Sequence, residues 1–209
     1  GKDQSYVLYN LTQEQLARVR LPLGGLHKTE VREIAEKRHF INARKHDSQD
    51  ICFVPDGDYV SFLRQYGGVE PVPGDFLDSE GRVLGRHRGM ECYTIGQRKG
   101  LGVSANAPLY VLGKDPDRNA VILGEDNRLY TRELTAERVN WLSVPEPDRP
   151  LSVTAKTRYS QREAAATVEP LPGGCIRMVF TEPQRAVTPG QAVVFYDGDL
   201  VLGGGTICP

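Results

Sequence analysis

The sequence predicts an α+β protein that is mostly β, with a helical N-terminal part followed by two β-rich parts. Helical spacing of apolar residues is confined to residues 1–60. From residue 67 onward, glycine and proline become frequent, and short β-prone runs alternate with turn sequences. Because regularly spaced short strands are typical of small barrels, we predict a central β-rich domain at 61–132 and a C-terminal β-barrel at 133–209.

Three short helices are expected in the N-terminal part. Thr12-x-x-Gln15 is a capping-box pattern that precedes the first of them. The second, at 28–38, has apolar residues on one face and charged residues on the other. The third covers residues 59–66. Together they predict a helical piece at residues 1–60.

Ten β-prone runs follow the helices. Asp197-Gly198 lies between two of them, and this dipeptide between apolar runs predicts a hairpin. The runs are 83–87, 93–95, 109–113, 120–124, 134–142, 152–159, 165–169, 175–180, 192–196 and 200–202.

Composition narrows the class of protein. The net charge is -1, which argues mildly against a dedicated nucleic-acid-binding protein but leaves a local basic face possible. No apolar run approaches the ~18 residues of a membrane helix. The four cysteines form no C-x-x-C pair, so no metal site is expected. Without a secretion signal, they are expected to be reduced thiols in the cytoplasm, away from any membrane.

Cys52 is the first candidate for chemistry. It lies between Asp50 and Asp56, and flanking aspartates indicate a loop in which a thiol is accessible. A reactive cysteine needs such access together with thiolate character. The alternative is a buried cysteine that packs as a small apolar residue between Ile51 and Phe53, and local composition alone leaves both open.

A basic loop is the second candidate. Glycines flank Gln97, Arg98 and Lys99, so a strand at 93–95 is expected to end in a flexible cationic loop suited to a phosphate backbone. The alternative is a solvated hairpin tip. More charge lies nearby in sequence, at Arg82, Arg86, His87 and Arg88.

A third candidate combines cations with an aromatic ring. Lys156 and Arg158 alternate along the expected strand 152–159, which would place both on one face. Tyr159 offers a ring on which a base could stack. The alternative is the solvated outer face of a barrel.

Taken together, these motifs resemble the MnmA/TrmU family of tRNA-specific 2-thiouridylases, in the family's order and along nearly the whole chain. The resemblance implies that 1–60 is the end of an α/β nucleotide-binding catalytic domain. It rests on KDQSY at 2–6, PLGG at 22–25, DSQDICF at 47–53, YTIGQRKGLG at 93–102, KTRY at 156–159 and EPQRAVTPGQ at 182–191.

The resemblance also implies a chemistry. The family uses ATP with magnesium to adenylate the wobble uridine of tRNA, and a cysteine persulfide then replaces O2 with sulfur. The persulfide cysteine falls on Cys52, and a sulfur-donating persulfide carrier protein is the implied partner. The residues that contact tRNA in the family fall on Lys2, Asp3, Gln4, Arg158, Tyr159 and Gln191, with Gln97, Arg98 and Lys99 added from the basic loop.

The sequence departs from the family pattern in two ways. The S-G-G-x-D-S motif for ATP is absent, and no cysteine matches the second catalytic cysteine. Because the chain starts at Gly1 and runs straight into KDQSY, we expect a domain upstream of it. Alone, the chain is expected to bind tRNA at most, with no ATP bound and no thiolation. A non-catalytic tRNA-binding module and a β-barrel interaction domain remain the alternatives.

Overall fold

The computed structural model describes residues 4–44, 54 and 58–209. It divides the chain into two compact units, Glu14–Glu70 and a larger one formed by Gly1–Gln13 with Pro71–Pro209. The larger unit contains a four-stranded sheet and a closed six-stranded barrel. The predicted α+β, mostly β class is therefore confirmed. The predicted boundaries at residues 60 and 132 stay predictions.

The helical unit contains α1 (Gln13–Arg18), α2 (Lys28–Lys37) and α3 (Tyr59–Gly67). Helix α1 begins at Gln13, one residue before the first residue of this unit. None of the three helices contains a buried residue. Carboxylates cap the N-termini of the last two. Glu30 accepts from the backbone N of His27 at 2.6 Å, and Asp58 accepts from the backbone N of Ser61 at 3.1 Å.

The central sheet has the strand order β2-β1-β4-β3. Its strands are β1 (Gly74–Leu77), β2 (Val83–His87), β3 (Tyr110–Asp115) and β4 (Ala120–Gly124). β1 pairs in parallel with β4, and the other neighbours are antiparallel. Phe76 and Val111 are fully buried between the sheet and the loops that cover it.

One strand of this sheet was missed, and one expected strand is wrong. The strand β1 was missed because it is only four residues long, begins at Gly74 and follows prolines. Residues 93–95 form no strand. Met90–Cys92 is instead a 3-10 turn, and Tyr93 packs its ring against Phe76 with centroids 5.1 Å apart. An apolar run can thus be buried without joining a sheet.

The barrel closes in the strand order β10-β5-β8-β7-β6-β9. Its core includes Phe180, Phe195 and Met178, each no more than 1% exposed. The expected hairpin is present, with Gly198 at φ 54 between β9 and β10. The strands are β5 (Tyr130–Trp141), β6 (Leu151–Lys156), β7 (Ala164–Leu171), β8 (Cys175–Arg185), β9 (Ala192–Asp197) and β10 (Leu200–Ile207).

A 3-10 helix at Ser5–Asn10 lies against β10 and β5 of the barrel. Asn140 donates to the carbonyl oxygens of Tyr9 at 2.6 Å and Leu11 at 2.9 Å. Gly204 lies beneath the ring of Tyr9, where a Cβ would approach Cδ2 to 2.6 Å. The start of the described chain is therefore fixed to the C-terminal barrel.

Candidate nucleic-acid interface

Four segments distant in sequence come together on the larger unit, and we call them the four-segment surface: residues 4–6, 94–100, 158–159 and 185–191. The rings of Tyr6 and Tyr159 are 6.1 Å apart. The hydroxyl of Tyr6 donates to the carbonyl of Ala192 at 2.7 Å. Arg158 donates to Ile95 and Thr188. The fold thus brings together residues that the sequence singled out separately.

Arg158 lies beyond the end of a strand, so the expected face shared with Lys156 is wrong. β6 ends at Lys156, which is only 7% exposed. The Nζ of Lys156 lies 3.4 Å from a carboxylate oxygen of Glu163 and 5.0 Å from the centre of the Tyr196 ring. Lys156 is therefore part of the interior, whereas Arg158 lies in the turn after the strand.

The guanidinium of Arg158 is held by oxygen atoms of the protein. Nη2 donates to the carbonyl of Ala186 at 2.7 Å, to Thr188 Oγ1 at 2.9 Å and to the carbonyl of Ile95 at 3.3 Å. Burial lowers the pKa of Arg158, and the nearby Arg185 lowers it further. Nε is buried without a hydrogen-bond partner among the described residues. The predicted phosphate contact stays a prediction.

Tyr159 presents the accessible aromatic ring of this surface. It is 38% exposed and meets the ring of Tyr6 edge to face, with the planes at 75°. Burial raises the pKa of Tyr6 to about 12, and Tyr9 and Tyr196 add to the shift. Tyr6 is therefore a neutral hydrogen-bond donor, and its ring packs against that of Tyr159.

Gln191 and Gln4 lie near the two tyrosines. Gln191 is half-buried, and its backbone N and O bond to Thr188 at 3.2 Å and to Ile207 at 2.8 Å. Its side-chain Oε1 is buried without a hydrogen-bond partner in the described part of the chain. Gln4 is exposed. Lys2, Asp3 and Cys52 lie outside the described residues.

The side chain of Gln97 stabilises the basic loop through two hydrogen bonds within the loop. Gln97 accepts from the backbone N of Thr94 at 3.0 Å and donates to the carbonyl of Lys99 at 3.0 Å. Arg98 and Lys99 are exposed, and within the described ranges neither has an ion pair. Gln97 therefore stabilises the conformation of the loop, and the loop exposes the charges of Arg98 and Lys99.

Three of the four other charged or titratable residues near this loop in sequence have partners of their own. Arg82 pairs with Asp78 at 2.6 Å, and Arg86 lies 3.4 Å from Asp75. His87 is 2% exposed; its Nδ1 accepts from Gly89 N at 3.1 Å, and its Nε2 lies 3.0 Å from the carbonyl of Asn119. Arg88, the fourth of these residues, is exposed, and the contribution of this group to the charge beside the loop stays a prediction.

A groove of about 460 Å³ lies beside the basic loop, within the size range of small-ligand sites. Arg98 lies at its edge, and Leu101, Val103 and Pro108 supply apolar lining. Gly100 and Gly102 have φ values of 75° and 68°, which favour glycine. The loop thus combines two exposed cations with an adjacent groove.

Sequence reasoning missed the residues that hold this surface together. Arg185 donates from Nε and Nη2 to Asp126 at 3.0 and 2.8 Å and lies 5.4 Å from the centre of the Tyr110 ring. Ala186 adopts φ 56, a left-handed conformation that could not be predicted from an alanine side chain. The motif at 182–191 indicated that the segment mattered, but only the fold shows that it is a structural support.

The described cysteines and carboxylates offer no further site. Cys92, Cys175 and Cys208 are free and half-buried. Among the residues that the structure describes, no group of His, Cys, Asp and Glu is placed to hold a metal ion. In the same ranges, no helix has the length and apolar character required to cross a membrane.

Three family descriptions match successive parts of the chain. Residues 1–56 match a tRNA methyl transferase HUP domain, and residues 60–125 match a tRNA methyl transferase PRC-barrel domain. Residues 131–207 match an aminomethyltransferase beta-barrel domain. These matches follow the same order as the helical part, the central sheet and the barrel.

Curated relatives are similar along almost the whole chain. The tRNA-specific 2-thiouridylase MnmA of Moorella thermoacetica is 55% identical over 207 residues, covering 99% of this chain and 58% of the relative. The MnmA of Acetivibrio thermocellus is 50% identical over 206 residues, covering 99% and 57%. That of Magnetococcus marinus is 48% identical over 207 residues, covering 99% and 58%. The chain spans little more than half the length of these relatives.

Proposed function

The chain belongs to the MnmA/TrmU family of tRNA-specific 2-thiouridylases, and from this membership we propose that it forms the tRNA-binding and sulfur-carrying C-terminal part of a cytoplasmic tRNA 2-thiouridine synthase. The observation that carries the proposal is the four-segment surface. Tyr6, Tyr159 and Ala192 lie in three distant segments of the sequence, yet a ring contact and a hydrogen bond join them, and Arg158 donates to the carbonyl of Ile95 in the basic loop. Gln4 and Gln191 are close neighbours of Tyr6 and Ala192 in the sequence. A tRNA would be the substrate held there.

The surface supports tRNA binding through two kinds of contact. Arg98 and Lys99 are exposed cations suited to phosphate oxygens, which set affinity and register. Tyr159 supplies a ring for stacking, and the groove beside Arg98 has room for an unpaired nucleotide. Lys2 and Asp3 precede Gln4 in the chain and complete the proposed contacts.

Sulfur transfer is assigned to Cys52. A carrier persulfide would pass its outer sulfur to the Cys52 thiol and keep its own thiol. The terminal sulfur of Cys52 would then form a bond to C2 of the adenylated wobble uridine, while AMP leaves with the former O2. A second thiol would attack Sγ of Cys52, which breaks the S–S bond, leaves the sulfur on the uridine and forms a disulfide. The basic and aromatic groups would hold the tRNA while the uridine leaves its stack. Exclusion of water around the persulfide would limit loss of sulfur before transfer.

ATP with magnesium belongs to the proposed complete enzyme, and we assign its binding to no described residue of this chain. A triphosphate favours helix N-termini with free backbone N–H groups. At the N-termini of α2 and α3, the carboxylate of Glu30 accepts from His27 N and that of Asp58 from Ser61 N, and both carboxylates repel anions. Adenylation of the uridine is therefore assigned to no described residue here.

Binding of unmodified tRNA at several salt concentrations tests the proposal. The 209-residue chain should bind tRNA, with log K falling linearly against log salt. Arg98→Ala with Lys99→Ala should reduce the slope by roughly two, since two phosphate contacts are lost. Arg118→Ala, which removes an exposed arginine from the turn after β3, is the control and should leave the slope unchanged. If the unchanged chain, the double variant and Arg118→Ala had equal slopes of log K against log salt, the proposed surface would be contradicted. A domain that binds only other proteins would show no such salt dependence of tRNA binding.

A further inference from the structure

Arg158 joins two parts of the larger unit. Ile95, whose carbonyl it contacts at 3.3 Å, belongs to the loop that covers the central sheet. Ala186 and Thr188, which it contacts at 2.7 and 2.9 Å, belong to the turn after β8 of the barrel. One guanidinium therefore links the basic loop to the barrel through its Nη2.

The turn that receives Arg158 is strained. Ala186 has φ 56 and is 2% exposed, and a left-handed conformation is unfavourable for a residue with a Cβ. Thr188 Oγ1 donates to the carbonyl of Ala186 at 2.9 Å, next to Arg158. Such a conformation persists only where its surroundings hold it. Arg158 bonds both of these oxygen atoms and so helps to hold the turn.

The basic loop packs closely on the same turn. A Cβ at Gly96 would lie 3.2 Å from the Cβ of Ala186 and 3.2 Å from Nη1 of Arg185. On its other side, Gly96 N donates to the carbonyl of Val111 at 2.8 Å, which fixes the loop to β3. The loop is thus held between the sheet and the barrel, two residues before Arg98.

We propose that Arg158 is a positioning residue, which fastens the loop 94–100 to the barrel and thereby fixes the direction in which Arg98 and Lys99 face the tRNA. The inference rests on the proposed tRNA-binding function and differs from a direct phosphate contact. A guanidinium Nη carries two N–H donors, and three oxygen atoms already surround Nη2 of Arg158. Nη2 therefore has no N–H left for a phosphate.

Salt-dependent tRNA binding by a set of variants separates the two roles. If Arg158 positions the loop, Arg158→Ala should lower the salt slope as much as the pair Arg98→Ala with Lys99→Ala. Adding Arg158→Ala to that pair should change nothing further. A direct contact predicts instead a loss of roughly one unit of slope that adds to the loss of the pair.

The variant Arg158→Lys provides a second comparison of salt slopes. Lysine keeps the charge but lacks the planar fork that spans the three oxygen atoms. Positioning predicts that Arg158→Lys behaves like Arg158→Ala, whereas an electrostatic phosphate contact predicts a slope close to that of the unchanged chain. Arg177→Ala is the control, because it removes a hydrogen-bonded arginine from the same barrel at Glu133 and Glu169.

Amide hydrogen exchange tests the positioning without any tRNA. Exchange at Gly96 and Gln97 should become at least tenfold faster in Arg158→Ala and Arg158→Lys, while amides of β7 stay protected. Uniformly faster exchange, unchanged exchange at Gly96 and Gln97, or additive slopes would overturn the inference. If the unchanged chain bound no tRNA, the proposed function would fail instead, and faster local exchange would still establish the link between Arg158 and the loop.

Discussion

Tyr6 and Tyr159 meet edge to face, with ring centroids 6.1 Å apart, although one lies near the start of the chain and the other after the sixth strand. The hydroxyl of Tyr6 also bonds the carbonyl of Ala192. The N-terminal segment is therefore a structural part of the barrel surface. Its predicted tRNA contact, Gln4, lies two residues from the ring that supports Tyr159.

Tyr6→Phe should remove a pH-dependent part of the stability. The pKa of Tyr6 is raised from 10.0 to about 12 in the folded protein. Between these values the unfolded chain loses the proton and the folded chain keeps it, so the free energy of unfolding falls as pH rises. Tyr6→Phe should flatten that decline and, at neutral pH, cost about 1 kcal/mol for the lost hydrogen bond.

Urea unfolding from pH 8 to 12 would measure this effect. Tyr130→Phe is the matched control, because Tyr130 is 46% exposed. The difference in unfolding free energy between Tyr6→Phe and the unchanged chain should narrow above pH 10, whereas Tyr130→Phe should run parallel to the unchanged chain. Parallel curves for both variants would show that Tyr6 is not held in its neutral form.

Tyr159→Ala should weaken tRNA binding, and Tyr159→Phe should largely preserve it. The ring is exposed and supported by Tyr6, so stacking on a base is the interaction that alanine removes. Such stacking contributes about 1–3 kcal/mol for each base, which corresponds to roughly 5- to 150-fold in affinity. Filter binding of unmodified tRNA would measure it. A loss of equal size in both variants would assign the contact to the hydroxyl instead.

Gly204→Ala should release the N-terminal segment from the barrel. The new Cβ would lie 2.6 Å from Cδ2 of Tyr9 and 2.8 Å from the carbonyl oxygen of Val193. Overpacking of this kind costs about 1–3 kcal/mol. Thermal unfolding should show the loss, and chymotrypsin should cleave after Tyr6 or Tyr9 sooner.

Gly113→Ala is the control for this substitution. Gly113 also lies in a strand, but a Cβ there would meet no atom within 4 Å. Its midpoint of unfolding should stay close to that of the unchanged chain, and its N-terminal segment should resist chymotrypsin. If Gly204→Ala matched Gly113→Ala in both measurements, the close packing of Tyr9 on β10 would be wrong.

Cys52→Ser should abolish thiolation in the complete enzyme while leaving tRNA affinity unchanged. Serine cannot carry a persulfide, but its side chain is close to that of cysteine in size. Mass spectrometry of nucleosides from reacted tRNA would measure 2-thiouridine. Cys175→Ser is the control, because Cys175 lies in the barrel at the start of β8 and should not carry sulfur. Normal 2-thiouridine in Cys52→Ser would end the assignment.

Much of the fold could be predicted because it depends on local order in the sequence. Alternating apolar residues and turn glycines predicted nine of the ten observed strands, including the β9–β10 hairpin. The tenth, β1, was missed because it is only four residues long and follows prolines, and because its pairing with β4 comes from a distant part of the chain. Tyr93 was misassigned because an apolar run gives no information on whether its backbone joins a sheet.

The candidate site divides in the same way. The residue types could be read from local sequence: a thiol at Cys52, two cations at Arg98 and Lys99, and a ring at Tyr159. The burial of Lys156, the three oxygen partners of Arg158 and the contact between Tyr6 and Tyr159 became visible only in the folded chain. A hydrogen bond or ring contact between distant segments depends on how the barrel closes and on which carbonyl groups its turns leave unpaired, and neither quantity is encoded within a few residues of the side chain concerned.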